Sequence, residues 1–500
     1  MDDIGKLISI YNQAKISKKL RLFDPEENDH ISLYRDMFNL IERKAVKNET
    51  ELITKLYGNN PVTISAFKKV KERLKNKLIN IILLVDLKEA GLSDRFAAYS
   101  EVIKLLLIGR VLISSNEQKL GEVIMDDAMK MSFKYDFLDL QHILSKLLAS
   151  QYGSLSQDSK KYIHYSTIAS TSLQELLVES QLRQANNEYF AMRFKSLTNI
   201  NSDKTNYSNF INLSLDAIGK SKNSEIRNFA YGLLLNCYIY TKNKSEYEVI
   251  SRQSLKFFLS EKKIANNTFK KLSADIINGC LLLRLFTFSD EIYASYAQYF
   301  NKKEHNWYVF SYYRVITNLH EKKYDTAYQL MKSTVEAPDF KKQFESMQQH
   351  FRVLQAYFYF LQLNSKISKT PESVFRIKKF LNEVPMFSKE KRGMNISILA
   401  VQILVLIIQK RMDEVMDRID SLSLYSYRYL RKSELWRTSC FIKMLSQLSK
   451  YNFNKKWAKS RIQPYYEKLI SVDIGEFPGS VEIEIIPYED LWQMILEKID

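Results

Sequence analysis

Glycine and proline are scarce in this chain of 500 residues. It contains 12 glycines and 8 prolines, which together make 4% of its residues, whereas globular proteins carry about 12%. No proline occurs between Pro61 and Pro338. All-β folds with many turns, collagen-like repeats and proline-rich disordered segments need more of both residues. Together with the helical periodicity described below, this deficit predicts an all-α protein.

Cysteine is also rare, and its positions exclude several chemistries. Cys237, Cys280 and Cys440 lie far apart, and no CxxC pair occurs. This excludes a disulfide framework and a zinc knuckle built on thiolates. Each cysteine lies in an apolar helical segment, so we expect core packing and a reducing compartment. Because the first residues, Met1–Asp3, lack the apolar core of a signal peptide, a cytoplasmic location is expected.

Long apolar runs are absent as well. The most apolar stretch, Ile396–Ile408, has 13 residues, including Ser397 and Gln402. As a helix it would span roughly 20 Å, which is short of the roughly 30 Å hydrocarbon core of a bilayer. The sequence therefore predicts a fully buried helix here and no membrane partner.

The familiar signatures of enzymatic sites do not occur either. The chain lacks the phosphate-binding loops GxxxxGK[ST] and GxGxxG, the zinc motif HExxH and the nucleophile elbow GxSxG. Its six histidines never fall at the spacing of three to five residues that is typical of metal ligands. We therefore expect no catalytic residue, no cofactor and no metal. An enzyme built in an unfamiliar helical pocket stays open as a third class of function.

Helical periodicity dominates what the chain does contain. One apolar stripe has spacings of three and four residues, as on one face of a helix: Phe67, Val70, Leu74, Leu78, Ile81 and Val85. Short polar clusters separate such segments along the whole chain, so antiparallel helix pairs joined by short loops are expected.

One of these pairs carries a repeat-like junction. Leu319 closes a first apolar helix, and a second helix begins near Tyr324, with Ala327 three residues further on. A large residue followed by a small one lets two helices pack closely, and this junction resembles the mid-repeat turn of tetratricopeptide repeats. Weaker echoes occur at 410–415 and 451–458. The resemblance implies a right-handed α-solenoid of stacked antiparallel helix pairs with a concave peptide-binding face.

The chain departs from the tetratricopeptide pattern in two ways. Val315 and Thr334 stand where that family usually has glycine or alanine. The spacings from Tyr324 to Met412 and from Met412 to Phe453 are 88 and 41 residues, which are not multiples of 34. Divergent hairpins of unequal length are therefore expected over residues 91–472.

Residues 1–90 are predicted to form a small N-terminal helical subdomain. A short helix at 52–57 is followed by a break at 58–61 and by a basic helix from about Ala66, with Ser65 as its N-cap. This order has the outline of a helix-turn-helix.

Residues 473–500 are predicted to be an irregular acidic tail. Val481, Ile483 and Ile485 alternate with glutamates, as in a short extended segment. The pattern of apolar residues at Tyr488–Ile499 predicts a short helix with an apolar face. The outer face of a terminal repeat needs a cap, so this helix is expected to dock on the last hairpin. We expect a permanent cap that belongs to the core, and the alternative is a removable cap that covers a binding site for a partner.

Charge singles out the helix after Ala66. The chain has 74 basic and 57 acidic residues, a net charge of +17, which favours acidic partners such as nucleic acid or an acidic protein. The candidates for binding nucleic acid or another acidic partner are Lys68, Lys69, Lys71, Arg73, Lys75 and Lys77. A solvated outer face of an amphipathic helix is the alternative interpretation.

Aromatic side chains make up 13% of the residues, and two dense clusters supply candidates for a peptide groove. These are Tyr357, Tyr359, Tyr427 and Arg428, which are residue types that commonly anchor binding partners. The alternative is that such rings fill the seams between helices.

The sequence thus predicts a non-enzymatic cytoplasmic scaffold or adaptor that binds a protein or peptide partner on the concave face of a helical solenoid. The alternative is a nucleic-acid-binding regulator with its basic helix at 66–78 and a solenoid that senses a partner. The sequence leaves the partner's identity and the oligomeric state open.

Overall fold

The described part of the chain contains α-helices and no β-strand, so the all-α prediction is confirmed. The structure is a computed structural model. It describes residues 2–13, 30–46, 48–58, 64–83, 94–154, 157–196, 204–260, 265–368, 380, 392–429, 436–451, 453–474 and 484–499. Contacts group the chain into two units, Met1–Leu176 and Leu177–Asp500. The division into 1–90, 91–472 and 473–500 stays a prediction.

The described part of the first unit contains seven complete helices. They are α1 Asp2–Gln13, α2 His30–Glu42, α3 Glu49–Tyr57, α4 Ile64–Leu83, α5 Asp94–Ser114, α6 Gln118–Lys134 and α7 Leu138–Ser154. A longer helix, α8 Ser159–Ser196, carries the chain into the second unit.

Helices α1 to α4 share one hydrophobic core. Phe67, Leu74 and Leu78 of the predicted stripe are buried, and Val70 and Ile81 are partly buried against the same core, so this part of the stripe is confirmed. Val85 lies outside the described residues. The predicted N-cap at Ser65 is wrong, because α4 begins at Ile64 and Ser65 is already helical.

Helices α5 and α6 cross at two glycines. A Cβ atom on Gly121 would lie 2.9 Å from the carbonyl oxygen of Gly109 and 2.7 Å from Cγ1 of Ile113. No side chain can be accommodated at such distances unless the helices move apart. The glycines are therefore required by this close contact between the two backbones.

Replacing Gly121 by alanine should separate these helices and lower the free energy of unfolding by about 1–3 kcal/mol. The control is Gly232→Ala in a helix of the second unit, where a Cβ atom meets nothing within 4 Å. Helix propensity should make the control more stable by about 0.5–1 kcal/mol. Urea unfolding measures both variants, and equal midpoints for the two would contradict the prediction.

The second unit contains thirteen helices in its described part. They are α9 Lys204–Lys220, α10 Ser224–Tyr240, α11 Lys244–Ser260, α12 Ala265–Leu283, α13 Phe286–Tyr296, α14 His305–His320, α15 Tyr324–Val335, α16 Glu345–Leu363, α17 Arg392–Ile408, α18 Met412–Tyr429, α19 Trp436–Lys450, α20 Lys455–Ile470 and α21 Tyr488–Leu496. Helices that are neighbours in sequence pack against each other from α9 to α16 and again from α17 to α20.

The interior of this unit agrees with two predictions. From Ile396 to Ile407 every side chain of α17 is buried except that of Ile398, which is half-buried, because the segment lacks a polar face. All three cysteines are buried as well. The predicted junction is also present, since α14 ends at His320 and α15 begins at Tyr324. Ala327, in the first turn of α15, is fully buried.

Five helix ends of this unit share one type of turn. At five positions a residue other than glycine adopts a positive φ of 55° to 62°, and the next amide N–H bonds to the carbonyl five residues earlier, as Lys323 does to Asn318. This is the Schellman arrangement that ends helices. The residues with positive φ are Lys242, Arg284, Lys322, Ser365 and Lys410.

Candidate functional site

A groove between α1 and α4 collects most of the predicted basic residues. Lys68, Lys69, Lys71 and Lys75 line this groove, whose volume is about 700 Å³. Lys68, Lys71 and Lys75 lie on one side of α4 because their spacings are three and four residues, and Lys69 lies next to Lys68 at the edge of the groove. Two carboxylates, Asp3 and Glu72, also line it.

The four lysines differ in their ionic partners. Lys71 forms a salt bridge with Glu49 at the start of α3, and their mutual hydrogen bond raises the pKa of Lys71 and lowers that of Glu49. Within the described part of the chain, Lys68, Lys69 and Lys75 form no ion pair. Three cations in the groove are therefore available to an anionic ligand.

The other two basic candidates do not line the groove. Arg73 donates a hydrogen bond from Nη1 to the hydroxyl of Tyr34 at 3.1 Å, which ties α4 to α2. Lys77 is half-buried. The structure thus assembles four of the six predicted cations in one place.

The aromatic candidates have different environments. Tyr357 is fully buried, and its hydroxyl donates to the carbonyl oxygen of Ser397 at 3.3 Å, so its ring belongs to the seam between α16 and α17. Tyr359 is half-buried. The side chains of Tyr427 and Arg428 lie outside the described residues. Tyr359 is therefore the aromatic candidate left for a peptide groove among the described side chains.

A second polar site, which sequence reasoning missed, surrounds Arg437 of α19. Its guanidinium forms a bidentate pair with Glu484, from Nε to Oε2 at 3.0 Å and from Nη2 to Oε1 at 2.7 Å. Nη1 donates to the carbonyl oxygens of Leu469 and Val472 at 2.8 and 2.7 Å. Nη2 also pairs with Glu489. All five N–H groups of the arginine therefore have acceptors.

Both members of the bidentate pair are buried. Burial opposes the charge on Arg437, yet the carboxylates of Glu484 and Glu489 raise the pKa of the arginine. Burial raises the pKa of Glu484, although Arg437 acts in the opposite direction. Glu484 also accepts the N–H of Tyr488 at 2.8 Å, so it satisfies an unpaired donor at the start of α21.

Residues 484–499 occupy a surface of the second unit next to this arginine. Helix α21 packs against α17, α19 and α20, and the ring of Tyr488 stacks on Phe441 with centroids 4.4 Å apart. Of the residues predicted to alternate in a strand, Val481 and Ile483 lie outside the described residues. Ile485 is described, and it lies in a bend rather than a strand.

The end of α14 also contacts this segment. His320, the last residue of α14, donates from Nε2 to the carbonyl oxygen of Glu484 at 2.9 Å, because a carbonyl can only accept. Burial, together with the charges of Arg284 and Arg437, lowers the pKa of His320 to about 4. The histidine is therefore neutral at physiological pH.

The chain shows no recognisable relative that would name either site. A scan against protein-family models finds no match, and searches of curated proteins and of solved structures find no similar chain. In the ranges that the structure describes, no helix is long and apolar enough to cross a membrane. Those residues also contain no group of three or more His, Cys, Asp and Glu side chains that could hold a metal ion.

Acid should weaken the second unit through His320. The unfolded chain, with a histidine pKa near 6.5, binds the proton more tightly than the folded chain with its pKa of about 4. Stability should therefore fall as the pH drops from 6.5 to about 4, by roughly 3 kcal/mol in total. The control is His320→Gln, which keeps an N–H donor but does not titrate.

Urea midpoints measured across this pH range compare the two proteins. The wild type should lose stability relative to His320→Gln between pH 6.5 and 4. If the difference between them stays constant over the range, His320 does not titrate as the structure indicates.

Proposed function

We propose that the protein is a non-enzymatic cytoplasmic scaffold that binds a protein or peptide partner on the concave face of a helical solenoid. In this proposal α9 to α20 stack as antiparallel pairs in a right-handed superhelix, in the manner of tetratricopeptide repeats. The partner is acidic, since the chain carries a net charge of +17 and opposite charges steer association.

The recurring turn of the second unit is the observation that supports this proposal. Turns of this kind lie at residues 242, 284, 322, 365 and 410, so successive turns are 38 to 45 residues apart. A solenoid needs hairpins of similar length, because each pair buries its apolar face against the next. The interval exceeds the 34 residues of a tetratricopeptide repeat, so these hairpins are longer than those of the family they resemble.

An array of peptides that differ in net charge and helicity tests the scaffold function. Each peptide carries a photo-crosslinker, and the full chain is applied to the array. Mass spectrometry then locates the residues of the protein to which bound peptides have been crosslinked. We expect acidic peptides to bind and to crosslink within residues 224–470. Absence of binding to any peptide, or crosslinks scattered over both units, would contradict the proposal.

The groove of α1 and α4 supports a second candidate, a nucleic-acid-binding regulator. Lys68, Lys69 and Lys75 line one surface and have no anionic partner among the described residues. Phosphate groups are recognised by cations arrayed in this way, and such contacts position a protein on nucleic acid without reading its sequence.

Changing Lys68, Lys69 and Lys75 to glutamate separates the two functions. If the groove binds duplex DNA, the slope of log K against log salt should fall in magnitude by about 3, at roughly 0.9 per phosphate contact. The control changes the charge equally at three exposed lysines elsewhere in the first unit, Lys119, Lys146 and Lys160. Equal slopes for wild type, variant and control would remove the nucleic-acid candidate.

A further inference from the structure

The C-terminal segment is bound to the second unit as an amphipathic helix in a groove. Seven of its apolar side chains are almost completely buried in the second unit, where α21 packs against α17, α19 and α20. They are Ile485, Ile486, Tyr488, Leu491, Trp492, Met494 and Ile495. Binding of this kind, in which one face of a helix fills a groove, recurs in the recognition of helical peptides.

The charges of the segment and of the surface beneath it are complementary. Lys322 pairs with Asp490 at 2.7 Å, and Lys366 pairs with Glu497 at 2.9 Å. Arg437 pairs with Glu484 and Glu489. In each of these pairs the segment supplies the carboxylate and the surface supplies the cation. The three cations come from three distant parts of the chain, so the fold has assembled a surface that selects an acidic helix.

The groove keeps its principal cation in place without help from the segment. Nη1 of Arg437 donates to the carbonyl oxygens of Leu469 and Val472, which lie outside the segment. The guanidinium is thereby oriented before a carboxylate arrives, and preorganisation of this kind favours binding. Apart from the carbonyl of Glu484, which accepts from His320, the main-chain hydrogen bonds in the described part of the segment join its own turns, as from Leu491 N–H to Pro487 O.

We propose that this groove, defined by Lys322, Lys366 and Arg437, is a binding site for an acidic amphipathic helix, and that residues 484–499 are its occupant within the chain. A partner helix with carboxylates and a large apolar face in the same arrangement binds by displacing them. This inference rests on the proposed scaffold function and names the site and the chemistry of the partner.

The tether makes displacement demanding and therefore selective. A segment on the same chain competes at an effective concentration of roughly millimolar, so a partner that matches only part of the pattern does not bind. The outer ion pairs at Lys322 and Lys366 are partly exposed. Changing these pairs alters the competition while the buried contacts around Arg437 stay intact.

The test uses the full chain and a fluorescent peptide with the sequence of residues 484–499. Asp490→Lys combined with Glu497→Lys turns both outer pairs into repulsions and weakens the resident segment. Fluorescence anisotropy should show the peptide binding to this variant at least tenfold more tightly than to wild type. Hydrogen exchange of the amides of α21 should become faster in the variant, with the rest of the second unit unchanged.

A charge-swapped variant is the matched control. Adding Lys322→Glu and Lys366→Glu to the first two changes restores attraction within the chain and removes the cations that the peptide needs. Peptide affinity and exchange of α21 should both return to the wild-type level. This result would show that the peptide competes for the same groove.

Three results would overturn the inference. In the first, the peptide fails to bind the double variant although hydrogen exchange of α21 is faster. In the second, the peptide binds wild type, the double variant and the charge-swapped variant equally, and therefore at another place. In the third, the double variant forms a concentration-dependent dimer without binding peptide, which assigns the groove to a second copy of the chain. Array peptides that crosslink elsewhere in the second unit would leave the scaffold function standing while refuting this site.

Discussion

The buried guanidinium of Arg437 is the interaction on which the C-terminal part of the second unit depends. It joins α19, the end of α20 and the segment that begins at Glu484. A charge in an apolar interior is costly unless each of its donors is satisfied, and here all five N–H groups have acceptors. Replacing either partner of the bidentate pair alone would leave the other charge buried and unpaired, which typically costs about 3–5 kcal/mol.

The same site explains why the acidic tail differs in composition from the rest of the chain. Its carboxylates meet cations contributed by the turn after α14, by the turn after α16 and by α19. Glu484 is buried with Arg437, whereas the outer pairs, Lys322–Asp490 and Lys366–Glu497, are partly exposed. The two kinds of pair therefore have different roles. The buried pair fixes the register of the segment, whereas the outer pairs, each worth about 0–1 kcal/mol in solvent, adjust its affinity.

The recurring turn accounts for the scarcity of glycine in a protein with so many helix ends. Helices commonly end in a glycine with positive φ, yet here lysine, arginine or serine takes that conformation. A side chain makes the left-handed conformation less favourable by about 1–2 kcal/mol. A lysine or arginine at this position also lies beside the negative end of the helix dipole, which offsets part of that cost.

Local pattern was sufficient to determine the helical class, the stripe on α4 and the burial of α17, because each depends on the order of apolar residues along one helix. It also located the α14–α15 junction. Only the tertiary structure decided which charges meet. Lys68, Lys69 and Lys75 share a groove with α1, Tyr357 is enclosed by α17, and Arg437 meets carboxylates 47 and 52 residues away. Contacts between distant residues depend on how helices pack, and periodicity within a helix carries no information about that.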